Sequence, residues 1–336
     1  MANSGPSLDW AVSQGANAIE TDLQFDNRGN PYLFEHRGFC DCSCPHPSGH
    51  ICAGGLGSKC SGSSASQDAD AHLQHIARLS NIALVIIDSK VESKMASRLG
   101  YLGKSVVALL DRDLFNYGFK GKVIIGCGKI NTYDYLQAAA EAAKLSPNAN
   151  RYFFSFDQED DRYFDVIAML SRFTNNRVYG TGISSCVPGT YYTGISQSVA
   201  GKAAGQHGMN YIWTLDKKSS MRTYIELGVQ GIVTNRVDLA KTLAISMGLK
   251  LATPSSSIPV ATASLPSPNK CDCDYHKGGC TISWPAPSLK ACKCKYKGAW
   301  TCGGSLVSCD VSRPKCYRPD ESKEACQLGG GDCDAY

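Results

Sequence analysis

The chain has little net charge. It carries 34 Lys and Arg against 30 Asp and Glu, a balance of +4 over 336 residues, and the basic residues form no run. The electrostatic footprint of a nucleic-acid binder is therefore absent. No apolar stretch approaches the roughly 20 residues that cross a bilayer, so no transmembrane span is expected. The opening segment Met1–Trp10 lacks a basic start, an apolar run and a cleavage site, so no signal peptide is visible. Collagen-like and disordered classes are excluded by a hydrophobic content of 43% and ordinary Gly and Pro usage.

What is abundant is cysteine. Seventeen of them point to an oxidising compartment or to metal binding, which sits badly with the lack of an export signal. Either the thiols are reduced or metal-bound, or the mature protein has residues before Met1. The cysteines are also unevenly placed. Cys40, Cys42, Cys44, Cys52 and Cys60 crowd one Gly/Ser-rich loop, and Cys127 and Cys186 stand apart. The remaining ten, from Cys271 to Cys333, mark a separate disulfide-rich module over 270–336. Between the parts, the uncharged Pro/Ser/Ala/Thr run of 253–269 reads as an extended linker. Residues 1–252 form the main domain.

In that domain, short apolar runs alternate with helical patterns. Strands are predicted at Ala18–Phe25, Ile82–Ile87, Val123–Ile125, Tyr152–Phe156, Val178–Gly182, Tyr211–Leu215 and Gly231–Thr234. Helical periodicity falls at Ser7–Ser13, Tyr133–Ala143, Arg162–Arg172 and Arg236–Met247. Strand–helix alternation over this length predicts an α/β fold, a (β/α)₈ TIM-type barrel. Seven strands are legible rather than eight, so the barrel is expected to lack its first strand.

Strand alternation places Glu20 and Asp22 together on one face and Ile19, Thr21, Leu23 and Phe25 on the other. Two neighbouring carboxylates repel unless a cation offsets them. A hard divalent ion such as Mg²⁺ is one partner, and a salt bridge or an exposed polar face is the alternative. The run Ala83–Ile87 reads as a strand buried on both faces, with Asp88 and Lys90 on one side where it ends. Strand C-termini are where barrel enzymes keep their chemistry, so this pair could hold a metal and a phosphate, or be a solvated ion pair. His36 follows Tyr32–Glu35 and is the histidine nearest the Glu20/Asp22 strand, which makes it the acid–base candidate. His46 and His50 lie among the loop cysteines, but their spacing fits no common zinc frame. Tyr211 and Trp213 share a strand face, either for a cationic headgroup or for core packing. Asp216 ends that segment, and Asn235 could bind phosphate or cap the following helix.

Together these segments resemble the sphingomyelinase D / phospholipase D toxin family of spider venoms, a branch of the glycerophosphodiester phosphodiesterase-like barrels. The resemblance runs from Met1 to about Thr253. It is carried by Gly15–Asp22, His36–Cys42, Ile87–Lys90, Gly182–Pro188 and Trp213–Lys217, in that order and spacing. It implies that Glu20, Asp22 and Asp88 match the family's Mg²⁺ ligands. His36 matches the second of two catalytic histidines, in the acid role towards the leaving alcohol, and Lys90 matches a phosphate-contacting lysine. Tyr211, Trp213, Asp216 and Asn235 match substrate-side positions. It further implies a disulfide between Cys42 and Cys186, while Cys44, Cys52 and Cys60 leave the other pairings open and Cys127, on a predicted strand, is the expected unbridged thiol. The implied reaction expels the headgroup of sphingomyelin, ceramide phosphoethanolamine or a lysophospholipid by attack of the lipid's own hydroxyl, leaving a cyclic phosphate.

The family's first catalytic histidine directly precedes a Met-x-Asn segment, which Met1-Ala2-Asn3 matches here. A late start would account for the missing histidine, strand and export signal together, and activity of the chain as given is expected to be impaired. The implied protein is a secreted, toxin-like monomer that meets its phospholipid at a membrane surface and uses no nucleic acid. The rival readings are a glycerophosphodiester phosphodiesterase releasing an open phosphate and a non-catalytic secreted lipid- or matrix-binding protein. The Cys271–Tyr336 module lies outside the resemblance. Its Lys293, Lys295, Tyr296, Lys297 and Trp300 could form a basic-aromatic surface, or the module could be a passive appendage.

Overall fold

The computed structural model describes residues 2–36, 43–46, 49–52, 66–91, 93–128, 130–158, 162–183 and 192–263, together with short strands at 271–274, 279–282, 294–296, 300–302 and 316–317. It divides into two units, Met1–Thr262 and Ala263–Tyr336. The expected disulfide partners Cys42 and Cys186 lie outside the described residues.

The first unit opens on α1 (Gly5–Ser13), which starts where it does because Ser4 and Ser7 cap one another reciprocally and Pro6 follows. It is followed by β1 (Ala18–Phe25), β2 (Pro31–Glu35), the hairpin of β3 (Ser43–His46) and β4 (Gly49–Cys52), and β5 (Ser66–Asp68). Strand and helix then alternate: α2 (Ala69–Ala77), β6 (Leu84–Ser89), α3 (Leu99–Leu110), β7 (Lys122–Cys127), α4 (Tyr133–Leu145), β8 (Tyr152–Gln158) and α5 (Tyr163–Ser171). The pattern continues through β9 (Val178–Gly182), α6 (Tyr192–Ala203), β10 (Met209–Trp213), α7 (Lys218–Leu227), β11 (Gly231–Ile232) and α8 (Val237–Ser246).

The strands form one sheet in the order β11-β10-β9-β8-β7-β6-β1-β2-β5. The pairings from β1 and β6 to β11 are all parallel, whereas β2 and β5 add antiparallel at the far side. All seven expected strands are therefore present in one parallel set, as the α/β expectation requires. Among the described residues no strand stands between β11 and β1, and the sheet is not clearly closed. A cavity of about 660 Å³ opens along that seam, lined by Ile19 and Glu20 of β1, Tyr211 and Gly231, and Lys241 of α8. Ala2 lines it too, and its amide donates to the Glu20 carbonyl at 2.9 Å.

Alternation along the strands sorts the core into two layers. Leu84, Ile86, Ile124, Phe153, Val178 and Tyr211 pack together inside the sheet's curve. Val85, Ile87, Val123, Ile125 and Phe154 are equally buried on the alternate face. Strands buried on both faces are what helices wrapped around a parallel sheet demand. Each large apolar side chain so buried contributes about 1.5–3 kcal/mol, and this sum offsets the cost of the charged site above it.

The run after α8 is docked rather than a free linker over its first part. Asn17 donates to the Ala252 carbonyl, Lys122 Nζ to that of Pro254, and the amides of Ala261 and Thr262 to Asn175 and Gly205. Residues 253–262 thus belong to the first unit, and the compositional shift toward Pro and Ser marks an irregular strap on it. In the second unit β12 (Cys271–Asp274) pairs antiparallel with β13 (Gly279–Ile282). There, β15 (Trp300–Cys302) sits between β14 (Cys294–Tyr296) and β16 (Cys316–Tyr317), again antiparallel.

The α3–α4 contact supplies a test of the packing. A Cβ on Gly103 would lie 2.2 Å from the Tyr135 carbonyl and 2.8 Å from the Ala139 amide, both backbone atoms that cannot step aside. Gly→Ala inside an exposed helix is normally favourable by about 1 kcal/mol. Here the sign reverses: Gly103→Ala is expected to destabilise the first unit by about 1–3 kcal/mol. Urea unfolding followed by far-UV circular dichroism checks it, and a raised midpoint would contradict the packing.

Candidate active site

Register builds the centre of the site. In the parallel ladder between β1 and β6, Glu20 stands opposite Ile86 and Asp22 opposite Asp88. Because residues two apart share a face, Glu20, Asp22 and Asp88 all point the same way as Leu84 and Ile86. The inward face therefore changes from apolar to acidic as the strands approach their C-terminal ends. One ligand oxygen from each of the three carboxylates falls within 4.8 Å of the others. The local pattern suggested Glu20 with Asp22, and the tertiary register adds Asp88.

Three carboxylates this close are costly. Burial, together with the charges of Asp22 and Asp88, pushes the Glu20 carboxyl up to about 8. Lys90 supplies part of the compensation. Its chain leaves β6 by donating its amide to the Leu23 carbonyl, which returns the side chain over the cluster. Its ammonium lies 2.5 Å from Asp22 Oδ1 and also pairs with Asp88 Oδ2. Burial alone would lower the Lys90 pKa, but the pull of Asp88, Asp22 and Glu20 outweighs it, so the amine stays charged. One ammonium against three carboxylates leaves the cluster short of positive charge. A donor set of oxygens only, with excess negative charge, fits a hard divalent cation.

His36 directly follows β2 and sits in the field of the same group. Burial lowers its pKa first, and Asp22 and Asp88 raise it while Lys90 lowers it, with a net depression. The imidazole is therefore mostly neutral at neutral pH, and its protonated form is a stronger acid than free imidazolium.

The substrate-side candidates divide. Tyr211 is part of the inner core, and Gly180 on the neighbouring strand has no side chain because a Cβ there would sit 2.2 Å from the Tyr211 ring. Trp213 is half-buried, and its indole N–H donates to the Asp157 carboxylate at the end of β8. Asp216 and Asn235 are locked to each other. Asp216 Oδ1 accepts from the Asn235 amide at 2.8 Å and the Thr234 hydroxyl at 3.0 Å, and Oδ2 accepts from Asn235 Nδ2 at 2.9 Å. Asn235 is accordingly not the cap of α8. It ties the β11–α8 loop to the end of β10.

Two residues at the site were assigned no role from the sequence. Asp157 ends an aromatic strand, Tyr152–Phe156, whose hydrophobicity gave no hint of a carboxylate partner for Trp213. Asn3 is fully buried and bonds directly to Asp22. It precedes the first helix and belongs to no periodic segment.

Residues 1–253 match the family described as Dermonecrotic toxin SPH. The chain belongs to this family. The family expected from its motifs is the one found, which brings phospholipase D-type chemistry in general terms. The dermonecrotic toxin relatives include one from Loxosceles deserta, 26% identical over 253 residues, covering 71% of this chain and 88% of that toxin. A second, from Loxosceles hirsuta, is 25% identical over 248 residues with the same coverages. Among solved structures, a Silicibacter pomeroyi protein provisionally named a glycerophosphoryl diester phosphodiesterase aligns with a TM-score of 0.52. The alignment is 14% identical and covers 74% of this chain and 90% of that one, which supports the barrel fold of this dermonecrotic toxin relative. No helix among its described residues is long and apolar enough to cross a membrane.

The raised Glu20 carboxyl has a stability consequence. A group whose folded pKa lies above its unfolded one stabilises fully below the unfolded value, 4.5, and loses that contribution as pH climbs through about 8. Buried His72 and His207, both held down to about 3, act oppositely below about pH 6.5, so the difference between variants isolates the carboxyl. With divalent ions chelated, Glu20→Gln is expected to gain stability over wild type as pH rises from 5 to 8. Saturating Mg²⁺ is expected to remove that gain. Urea midpoints across this range provide the check, and a pH-independent difference would rule it out.

Proposed function

We propose that this protein is a divalent-cation-dependent enzyme of the phospholipase D type, with Mg²⁺ as its ion. It would cleave the headgroup from sphingomyelin, ceramide phosphoethanolamine or lysophospholipids and leave a cyclic phosphate. The observation that carries the reading is the convergence of Glu20, Asp22 and Asp88 within 4.8 Å, with the Lys90 ammonium against two of them, at the C-terminal ends of parallel strands. In the wider barrel class such strand ends are where catalytic groups gather, and membership of the toxin family favours lipid phosphodiesters as the substrate.

In this reading Glu20, Asp22 and Asp88 are the oxygen donors to the cation. A bound divalent ion would supply charge neutralisation at the phosphate oxygens, lowering the barrier to attack at phosphorus. Lys90 adds a fixed positive charge beside the phosphate and pairs with Asp22 and Asp88. The lipid hydroxyl gives its proton to a solvent water as its oxygen forms the new bond to phosphorus, and the bond to the headgroup oxygen breaks. A ring N–H of His36 gives its proton to that departing oxygen, a task suited to an imidazolium of depressed pKa. Trp213, held by Asp157, presents an aromatic face for a cationic headgroup, worth about 0.5–2 kcal/mol. Tyr211 lies beneath it, and the Asp216–Asn235 lock holds the β10 and β11 ends in place around the substrate.

Secretion as a monomer and the Cys42–Cys186 bridge belong to the same proposal. The abundance of cysteine and the toxin relatives support the first, and the bridge follows from the family motif.

Mass spectrometry of products from the three lipids, with Mg²⁺ and with EDTA, tests the reading. A cyclic phosphate formed with Mg²⁺ and reduced at least about 100-fold in Glu20→Gln and Asp88→Asn is expected. An open phosphate would assign the site to glycerophosphodiester hydrolysis. No product from any lipid, with vesicle binding intact in Glu20→Gln, would leave a non-catalytic binder.

A further inference from the structure

Asn3 and its contacts lie directly behind the carboxylate cluster. The Ala2 amide donates to the Glu20 carbonyl, so residues 2–3 run alongside β1 and carry the Asn3 side chain over Thr21 to Asp22. Asn3 Oδ1 accepts the Asp22 backbone N–H at 2.7 Å and the Thr21 hydroxyl at 2.9 Å. Asn3 Nδ2 donates to Asp22 Oδ2 at 2.7 Å.

The amide can take only one orientation. A backbone N–H is a donor and nothing else, so the Asn3 atom facing it must be the oxygen. The Nδ2 group is thereby committed to the Asp22 carboxylate. With Oδ2 held from behind, the other oxygen, Oδ1, is the one that meets Lys90 and faces the cluster. Behind Thr21 stands His72 of α2, fully buried, with Nε2 at 3.4 Å from the Thr21 hydroxyl and Nδ1 at 3.1 Å from Gln67 Oε1. Gln67 Oε1 can only accept, so the one proton of this neutral ring sits on Nδ1 and Nε2 faces Thr21 as an acceptor. The single hydrogen of the Thr21 hydroxyl goes to the nearer acceptor, Asn3 Oδ1.

We propose that Asn3 is a positioning residue for the divalent cation, setting which Asp22 oxygen is offered to it, and that the Thr21 hydroxyl holds Asn3 in that orientation. The inference rests on the reading of Glu20, Asp22 and Asp88 as the cation's ligands. Groups one bond removed from a metal ligand commonly change metal affinity by about 10–100-fold when they are lost.

The test is Mg²⁺ titration calorimetry on the full chain, with Mn²⁺ paramagnetic resonance as a second readout of ligand geometry. Wild type is compared with Asn3→Ala, Thr21→Val, Thr21→Ser and Glu20→Gln, and circular dichroism confirms folding. Asn3→Ala is expected to weaken Mg²⁺ about tenfold or more and broaden the Mn²⁺ spectrum. Thr21→Val, nearly the same shape without the hydroxyl, is expected to weaken it severalfold, and Thr21→Ser to restore wild-type binding. That rescue is not expected from packing alone. Should Asn3→Ala fail to fold, the Thr21 pair decides. If Glu20→Gln weakens binding while Asn3→Ala and Thr21→Val bind as wild type, the positioning role is overturned and the cation site stands. If wild type binds no Mg²⁺ and Glu20→Gln is indistinguishable from it, the cation reading itself falls.

Discussion

Three carboxylates share one small, largely buried space, and the polar contacts around them answer to their repulsion. A lone buried carboxylate would protonate; three together must be offset by positive charge or by donors aimed at them. Lys90 does part of this by pairing with Asp22 and Asp88. Asn3 does another part, donating to the Asp22 oxygen that faces away from the ammonium. Burial, joined by the repulsion that remains uncompensated, raises the Glu20 carboxyl to about 8. The protein retains a state that is electrostatically unfavourable without a cation, which is the ground for proposing that the site binds one.

That arrangement depends on the sheet below it. Parallel pairing of β1 with β6 sets Asp22 beside Asp88, and a slip of one residue would turn both to the opposite face. The inner layer of Leu84, Ile86, Ile124, Phe153, Val178 and Tyr211 fixes the register, because any slip would expose it. Stability thus comes from the lower part of the strands and is spent at their C-terminal ends. Around the rim, side-chain pairs serve as spacers: Trp213 with Asp157, and Asp216 with Asn235. Each ties the end of β10 to a neighbouring element, so the rim holds its shape by hydrogen bonds while the base holds by packing.

Legibility in the sequence followed the range of the forces involved. Alternation showed that Glu20 and Asp22 share a face, because that depends only on the local geometry of one strand. The apolar run ending in Asp88 and Lys90 was equally plain. Aromatics at Tyr211 and Trp213 left two readings open, and the structure separates them: Tyr211 packs in the core and Trp213 stands at the rim. Asn235 read as phosphate ligand or helix cap, whereas its side chain is engaged with Asp216. Asp157 carried no signal, and Asn3 only its place in the Met-x-Asn match, because each acts through a partner many positions away in a segment without periodic pattern. The Pro/Ser-rich run after residue 252 shows the same limit. Composition marked it as irregular, but its docking depends on carbonyls and amides meeting Asn17, Lys122, Asn175 and Gly205 across the unit.

The amino-acid order alone therefore determined the α/β class, the seven parallel strands, the separate cysteine-rich segment and the family, since these arise from periodicity, composition and ordered motifs along the chain. Only the tertiary structure decided that Asp22 meets Asp88, that Lys90 bridges both, and that Asn3 stands behind them. The first two arise from the register between β1 and β6, whose paired residues lie more than 60 positions apart, and the third joins Asn3 to Asp22 across the whole of α1. Charge repulsion and hydrogen bonding act over a few ångströms in space, and distance along the chain does not report that separation.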